Sequence, residues 1–285
     1  MSRSRRNAKA DEYFRRAPNY SAEAISDLTS KYVIDDHSLA GYVDELLDSL
    51  TSGHKFILPD NGELLGRDLT PAMTAGQRLP FPVTVLEMRV RRISGVIPPD
   101  KFYSPGEIVV CREGLREDGT SGFNIATLSK VDGLWAPARF TIFAPYAPSD
   151  DFHVSMAYKR TPPPDFTVDT CINHYRHALR AVLQLNAALS CTNVTTELIR
   201  PNREARAARP ESTLFDYHVL MIRPGAERHE GLSLGGSHAS PRTHLRRGHI
   251  RQHPRAGRIW VNSCVVNPTA IGSVNKDYQL QGGIQ

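Results

Sequence analysis

The chain lacks several features that mark common protein classes. Its four cysteines, Cys111, Cys171, Cys191 and Cys264, lie far apart and form no CxxC pair, which excludes a zinc ribbon and a thioredoxin-like motif. No apolar run reaches the length of about 18 residues that a membrane-spanning helix needs. No glycine-rich phosphate loop, serine nucleophile elbow or paired-carboxylate motif occurs, so the common metabolic enzyme classes are not indicated. We expect a cytoplasmic protein with reduced, mostly buried thiols.

Lysine is absent between Lys159 and Lys276, so the positive charge of this stretch is carried by arginine. From Arg200 to Arg258 there are twelve arginines and five acidic residues, a net charge of 12 − 5 = +7. The whole chain has a formal net charge of +5, which leaves 5 − 7 = −2 for the rest. Because the planar guanidinium suits phosphates and base edges, this stretch points to an anionic partner, with RNA or DNA as first candidates.

The predicted organisation has three parts: a flexible basic arm over residues 1–20, a helix plus antiparallel β domain over 21–160, and a C-terminal α+β domain over 165–285. The stiff segment KRTPPPDFT, around Pro162 to Pro164, is the predicted boundary. In SLAGYVDELLDSLTSG the apolar residues recur at helical spacing, and Gly53 stands where a left-handed C-cap belongs. Short strands follow, with a turn predicted at Asp132-Gly133.

The C-terminal part begins with DTCINHYRHALRAVLQLNAALS, whose apolar spacing predicts a long helix. We interpret His174 and His177 on this helix as solvated or core-edge histidines. The segments NVTTELI and TLFDYHVLMI have the texture of strands. The predicted fold class is therefore α+β, with N-terminal helices plus an antiparallel sheet, then a long helix with strands and a His/Arg-rich β-hairpin.

The stretch THLRRGHIRQHPRAGRIWVNS, residues 243–263, predicts that hairpin. Its turn is expected at Pro254 to Gly257, because PRAG favours a turn and GRIWVNSCVV has the β-branched and aromatic texture of a strand. The spacing of His249 and His253 suits zinc on a helix, but on a strand residues four apart lie ~13 Å from each other. No metal site and no cofactor are predicted.

Strand periodicity places Arg247, His249, Arg251 and His253 on one face, as a cationic ladder spaced ~7 Å, close to the phosphate repeat of an extended nucleic acid. Such residues fit RNA binding, and they also fit a metal-independent ribonuclease, in which a histidine moves a proton and an arginine stabilises charge on phosphorus. A structural alternative is that the arginines pair with carboxylates of the core. The candidate acid–base residues are His249 first and His244 second. The candidate nucleic-acid contacts are Arg246, Arg247, Arg251, Arg255, Arg258 and Trp260, with Arg247 and Arg251 as phosphate clamps.

The pattern SPRTHLRRGHIRQH followed by GRIWVNSCVV resembles the C-terminal signature of a family of phage- and plasmid-encoded proteins that includes type V anti-CRISPR proteins. The segments SCTNV and FDYHVLMI are similar to the same family. The resemblance covers about the last hundred residues, and its matching positions are His244, Arg246, Arg247, His249 and Trp260. This chain differs from the family pattern at Ile250 and Arg251. The resemblance implies a mobile-element protein in a bacterial host that lowers production of an effector nuclease by acting on its message, with a nascent or folded host protein as a further partner.

The function expected from these residues is RNA-directed regulation by a phage or plasmid protein. Two alternatives from other classes stay open. A protein-binding inhibitor would capture a host factor with the N-terminal sheet, and its interaction would survive nuclease treatment. A DNA-binding regulator would show sequence-dependent affinity for duplex DNA, although no helix-turn-helix is recognisable.

Overall fold

The structure, a computed structural model, describes residues 19–30, 37–65, 78–90, 106–138, 140–146, 155–158, 168–200, 215–222, 244–246, 249–261 and 264–266. Residues 1–18 of the predicted N-terminal arm, the boundary segment at Pro162 to Pro164 and the site residue Arg247 lie outside the described residues. The arm was expected to reach residue 20, but Tyr20 already begins the first helix. The helices of the described part are α1 (Tyr20–Ser30), α2 (His37–Ser52) and α3 (Val168–Leu189), and a 3-10 turn spans Asp60–Gly62.

The described strands are β1 (His54–Ile57), β2 (Val83–Arg89), β3 (Gly106–Leu115), β4 (Ser121–Val131), β5 (Leu134–Pro137), β6 (Phe140–Pro145), β7 (Ser155–Tyr158), β8 (Val194–Ile199), β9 (Tyr217–Ile222), β10 (His244–Arg246), β11 (His249–His253), β12 (Gly257–Val261) and β13 (Cys264–Val266). Nine of them form one sheet in the order β7-β6-β4-β3-β2-β1-β9-β8, with β5 paired to β4. Two further pairs, β10–β13 and β11–β12, form small separate sheets.

The α+β class and the small hairpin are confirmed, but the sheet is mixed rather than antiparallel. Strand β1 runs parallel to both of its neighbours, β2 and β9, and the other pairs are antiparallel. The expected antiparallel arrangement is wrong at this point because β1 and β2 are not joined by a hairpin: the 3-10 turn and more than twenty residues separate them. Parallel strands require such a long crossover.

Helices cover both faces of the large sheet. Helices α1 and α2 pack on one face, where their buried Leu28, Leu46 and Leu50 meet Val85 and Ile108 of the sheet. Helix α3 packs on the other face, against a cluster whose sheet members include Phe56, Leu86, Val109, Phe123, Ile125 and Ile142. Burial on both faces explains the continuous apolar run IVVC in β3, since alternate residues of that strand face different helices.

Strands from both sides of the predicted domain boundary share this sheet. Strands β8 and β9 come late in the chain, yet β9 joins β1 through two residue pairs, Lys55 with Tyr217 and Phe56 with His218. The core cluster under α3 likewise contains residues from before and after residue 160. The short β1–β9 ladder is therefore a junction between early and late parts of the chain.

Two turn predictions have opposite outcomes. The turn at Asp132-Gly133 is confirmed: both residues have positive φ, 51° and 82°, in the two-residue loop between β4 and β5. The left-handed C-cap at Gly53 is wrong, because Gly53 is not among the residues with positive φ. Instead, a Cβ at Gly53 would lie 2.9 Å from the side chains of Val83 and Val85, so glycine permits close approach of the helix end to β2.

Candidate nucleic-acid interface

The basic hairpin consists of β11 and β12 in antiparallel register, from His249 opposite Val261 to His253 opposite Gly257. Its turn lies at residues 254–256, as predicted, and Gly257 has a φ of 70°. The ring of His253 holds this turn closed, because its Nδ1 accepts hydrogen bonds from the backbone N–H groups of Arg255, at 3.2 Å, and Ala256, at 3.1 Å. The Nδ1 of His253 is thus a structural acceptor.

One face of the hairpin is anchored to the core. Ile250 is buried and packs with Leu65, Ala187 and Val194, and Trp260, its partner across the hairpin, packs against the same cluster. Residues opposite each other in an antiparallel pair share a face, so the tryptophan points to the core side. Trp260 was a candidate nucleic-acid contact; the structure places it on the face opposite Arg251.

Thr192 and Asn193, which follow α3 in the chain, fix β12 by hydrogen bonds. The side-chain amide of Asn193 binds both backbone groups of Trp260: its Oδ1 accepts from the N–H at 2.8 Å, and its Nδ2 donates to the carbonyl at 2.8 Å. The backbone N–H of Thr192 donates to the carbonyl of Arg258 at 2.9 Å. A side-chain amide that pairs with a strand in this way mimics a neighbouring strand, and it holds the hairpin in one position.

The other face and the turn present positive charge to solvent. Arg251 and Arg255 are both exposed, and neither forms an ion pair with any residue in the described ranges. His249 and Arg251 alternate with the buried Ile250, as the strand period requires. Arg258 lies on the core side instead, where its guanidinium donates to Ser190 Oγ at 3.3 Å.

The predicted row of charges does not continue through the whole stretch. Arg246 and His244 lie in β10, which pairs with β13, whereas His249 and Arg251 lie in β11, which pairs with β12. Of the predicted ladder, His249, Arg251 and His253 lie in β11, and Arg247 is outside the described residues. The chain changes its pairing partner between residues 246 and 249. Of the predicted site residues, the structure brings together His249, Arg251, Arg255, Arg258 and Trp260 on one hairpin.

A second concentration of charge is buried at the centre of the sheet, at Glu87. Its carboxylate accepts hydrogen bonds from the backbone N–H groups of Tyr20, at 2.9 Å, and Ser21, at 3.0 Å, which begin helix α1, and from the hydroxyl of Tyr217, at 3.0 Å. Burial raises the pKa of Glu87, and the hydrogen bonds from Ser21, Tyr20 and Tyr217 act in the opposite direction. This carboxylate satisfies the free N–H groups of a helix start.

The buried Lys55 lies beside Tyr217 in the β1–β9 junction, on the same sheet face as Glu87. Its ammonium donates to the carbonyl of Gly53 at 2.8 Å and lies 3.8 Å from the centre of the Phe215 ring. Burial lowers the pKa of Lys55 to about 8, and the charge of Glu87 opposes this shift. Glu87, Tyr217 and Lys55 on this face of the sheet therefore make their contacts within the protein.

The opposite face of the same junction carries a pair of histidines. Nδ1 of His54 and Nε2 of His218 are 3.2 Å apart. The ring of His54 stacks on Phe81, with centroids 3.7 Å apart and planes within 10°, and His218 lies over Phe56 at 5.0 Å. Burial lowers the pKa of His218, the charge of His54 lowers it further, and Asp216 acts in the opposite direction.

A third histidine contact joins α3 to the sheet. His177 forms a short hydrogen bond with the buried carboxylate of Glu107 in β3. Burial by itself would lower the pKa of His177, but the hydrogen bond and the charge of Glu107 outweigh it and raise that pKa. The earlier interpretation of His177 as a core-edge histidine fits this position; the side chain of His174 lies outside the described residues.

No local signal in the sequence marks these three contacts. His54 and His218 are 164 residues apart, His177 and Glu107 are 70 apart, and Glu87 and Tyr217 are 130 apart. Among the described residues, no group of three or more His, Cys, Asp or Glu side chains is placed to hold a metal ion. In the same part of the chain no helix combines the length and the apolar character needed to cross a membrane.

Comparison of the chain with protein families, with curated proteins and with solved structures finds no match to any of them. The geometry of the described residues is therefore the basis for assigning the candidate sites.

Proposed function

We propose that this protein binds RNA through the basic hairpin and acts as a regulator of its target message. The observation that carries the proposal is the pair of exposed arginines, Arg251 and Arg255, which form no ion pair with the described residues. An anchored strand that presents guanidinium groups to solvent suits phosphate binding, because the backbone that carries them is already ordered before contact.

The anchoring of the hairpin supports this proposal. Ile250 and Trp260 bury one face, and Asn193 fixes the backbone of β12, so the opposite face is held out from the core. The alternative that the arginines pair with core carboxylates has no support at Arg251 or Arg255 within the described ranges. The resemblance of this segment to type V anti-CRISPR proteins supports a messenger RNA as the target, in a mobile-element setting.

A cleavage activity belongs to the same proposal. His249 lies beside Arg251 in β11 and is the first candidate to move a proton, with the arginine as the group that stabilises charge on phosphorus. His253 is less suited, since its Nδ1 already accepts two backbone hydrogen bonds. His244 lies in β10, and its side chain is outside the described part.

The experiment is a binding titration with labelled single-stranded RNA in EDTA, at several salt concentrations. We expect the double variant Arg251→Ala/Arg255→Ala to bind more weakly and to lose about 1.4 from the slope of log affinity against log salt, at about 0.7 per phosphate contact. The matched control is Arg116→Ala, because Arg116 is an exposed arginine of another turn that already pairs with Asp118 at 3.8 Å.

Unchanged affinity and an unchanged salt slope in the double variant would refute the proposed interface. Tighter binding to duplex DNA than to RNA would favour the DNA-binding alternative. An interaction with a host protein that survives nuclease treatment would favour the protein-binding one. Cleavage is tested in the same assay, and we expect His249→Ala to abolish cleavage while it leaves most of the binding intact.

A further inference from the structure

The paired histidines at the β1–β9 junction have a geometry that their packing does not require. His54 begins β1, and His218 lies opposite Phe56 in β9, so the two imidazoles are diagonal neighbours on one sheet face. Nδ1 of one ring and Nε2 of the other are 3.2 Å apart, and both rings turn these nitrogens toward each other.

We propose that His54 and His218 form a binding site for a divalent transition-metal ion of the Zn²⁺, Co²⁺ or Ni²⁺ class. With metal–nitrogen bonds of about 2.0–2.1 Å and tetrahedral angles, two coordinating nitrogens lie about 3.3–3.4 Å apart. The observed 3.2 Å is within a few tenths of an ångström of that separation. Imidazole is a preferred ligand for these ions.

The surroundings hold both rings in place for chelation. His54 is stacked on Phe81, and His218 packs beside both Phe56 and Phe81, with centroid distances of 5.0 Å to each. Rings that are fixed before the ion arrives lose little freedom on binding. His54 is exposed, which gives the ion a path from solvent.

The coordination supplied by these two residues is incomplete. Since no group of three His, Cys, Asp or Glu ligands exists among the described residues, two positions of a tetrahedral ion are left for water or an added ligand. Asp216, two residues before His218, has its carboxylate 3.4 Å from Nε of Arg200. The site therefore resembles a chelating pair rather than a closed structural zinc site.

Metal binding at this position has a structural consequence. The β1–β9 ladder consists of two residue pairs, and a metal bound by His54 and His218 would cross-link the two strands. An ion that binds only the folded chain stabilises it by mass action, so at 100 times its dissociation constant it raises the folding equilibrium constant about 100-fold. The bound ion would therefore stabilise the pairing of β1 with β9.

The competing account is a direct N–H···N hydrogen bond between the rings, which has a similar nitrogen separation. The test is a Co²⁺ titration of tag-free, metal-stripped full-length protein, followed by visible absorption, and a Zn²⁺ titration followed by thermal unfolding. We expect one equivalent of Co²⁺ to bind with a ligand-field spectrum. Zn²⁺ is expected to raise the unfolding temperature.

His54→Gln is the informative variant, because His54 is exposed and its replacement is compatible with folding. We expect it to weaken metal affinity by about tenfold or more, since removal of even an outer-shell partner costs about that much. The control is His177→Gln, which alters a histidine bound to Glu107 in another place and should bind metal as the native chain does.

Two results would overturn the site: no saturable binding of Co²⁺ or Zn²⁺, or binding that survives His54→Gln but is lost in His249→Ala. The second result would assign the metal to the hairpin. Circular dichroism of each variant shows whether it is folded, and if His54→Gln is not, His54→Asn takes its place.

Discussion

The basic hairpin and the cluster around Glu87 both carry charge in the described part of the chain, but one exposes it to solvent and the other buries it. Glu87 is fully buried, and three donors from α1 and β9 surround its carboxylate. Arg251 and Arg255 are exposed and have no ion-pair partner in the described ranges.

The difference separates charge that holds the fold from charge that is available to a ligand. A buried carboxylate with all its hydrogen bonds made inside the protein contributes to structure, and its removal leaves its partners unsatisfied. An exposed guanidinium contributes little to stability, so its presence on an anchored hairpin is better explained by an external anion. Variants in the two regions should therefore differ in what they damage.

The largest effect on stability is expected from Glu87→Ala. The change leaves the N–H groups of Tyr20 and Ser21 without their acceptor, while the hydroxyl of Tyr217 keeps Asn19 Oδ1 at 3.2 Å as an alternative. At about 1 kcal/mol or more for each of these two unsatisfied N–H groups, the free energy of unfolding should fall by at least about 2 kcal/mol. Urea denaturation of the native chain and of Glu87→Ala measures this difference in the free energy of unfolding.

The matched control is Glu117→Ala, which removes an exposed carboxylate from the β3–β4 turn and should change stability by less than about 0.5 kcal/mol. Equal effects of the two changes would remove the distinction between the regions.

The hairpin and the Glu87 cluster also differ in how well local sequence predicts them. The turn at residues 254–256 follows from PRAG, and the anchoring face follows from the alternation around Ile250, because both depend on neighbouring residues. Glu87 interrupts an apolar strand, VTVLEMR, and alternation alone suggests a solvent-facing side chain. Its burial depends on α1 covering that face, a contact between distant parts of the chain.

The paired histidines were missed for the same reason. His54 and His218 meet only because β1 and β9 are parallel neighbours, and no local pattern encodes a pairing between strands 164 residues apart. Local alternation does predict the two faces of β11, but it does not predict the change of pairing partner between β10 and β11. Local periodicity thus predicts elements and their faces better than it predicts sites.

A smaller effect is expected from Asn193→Ala, which removes the attachment of the hairpin. Two 2.8 Å hydrogen bonds to the backbone of Trp260 are lost, and we expect unfolding free energy to fall by about 1–2 kcal/mol. Hydrogen exchange at the amide of Trp260 should accelerate, because the hairpin opens more readily. Asn193→Asp is the conservative variant, because it keeps the acceptor for the N–H of Trp260 and loses only the donor to its carbonyl. Its unfolding free energy should lie between those of the native chain and Asn193→Ala.

A pH-dependent effect is expected at His177. Because Glu107 raises the pKa of His177, the folded chain holds the proton more tightly than the unfolded one. The resulting stability is fully present below the unfolded pKa of about 6.5 and is lost as pH rises through the folded pKa. The side chain is 45% exposed, so we expect at most about 1 kcal/mol.

The measurement for His177 is the free energy of unfolding of the native chain and of His177→Gln across this pH range. The native chain should be the more stable at low pH, and that advantage should shrink as pH rises. A difference that is the same at every pH would show that His177 acts by packing alone. Glu107→Gln should reverse the sign of the pH dependence, because burial lowers the pKa of His177 once the charge that raises it is gone.

The smallest effect on stability is expected from the Arg251→Ala/Arg255→Ala pair, which is also the sharpest test of the comparison. Both side chains are exposed and unpaired within the described residues, so unfolding free energy should change by less than about 0.5 kcal/mol while RNA affinity falls. A loss of more than about 1 kcal/mol would mean that the arginines pair with carboxylates of the chain itself. In that case the hairpin would resemble the Glu87 cluster, and its charge would belong to the fold rather than to a ligand.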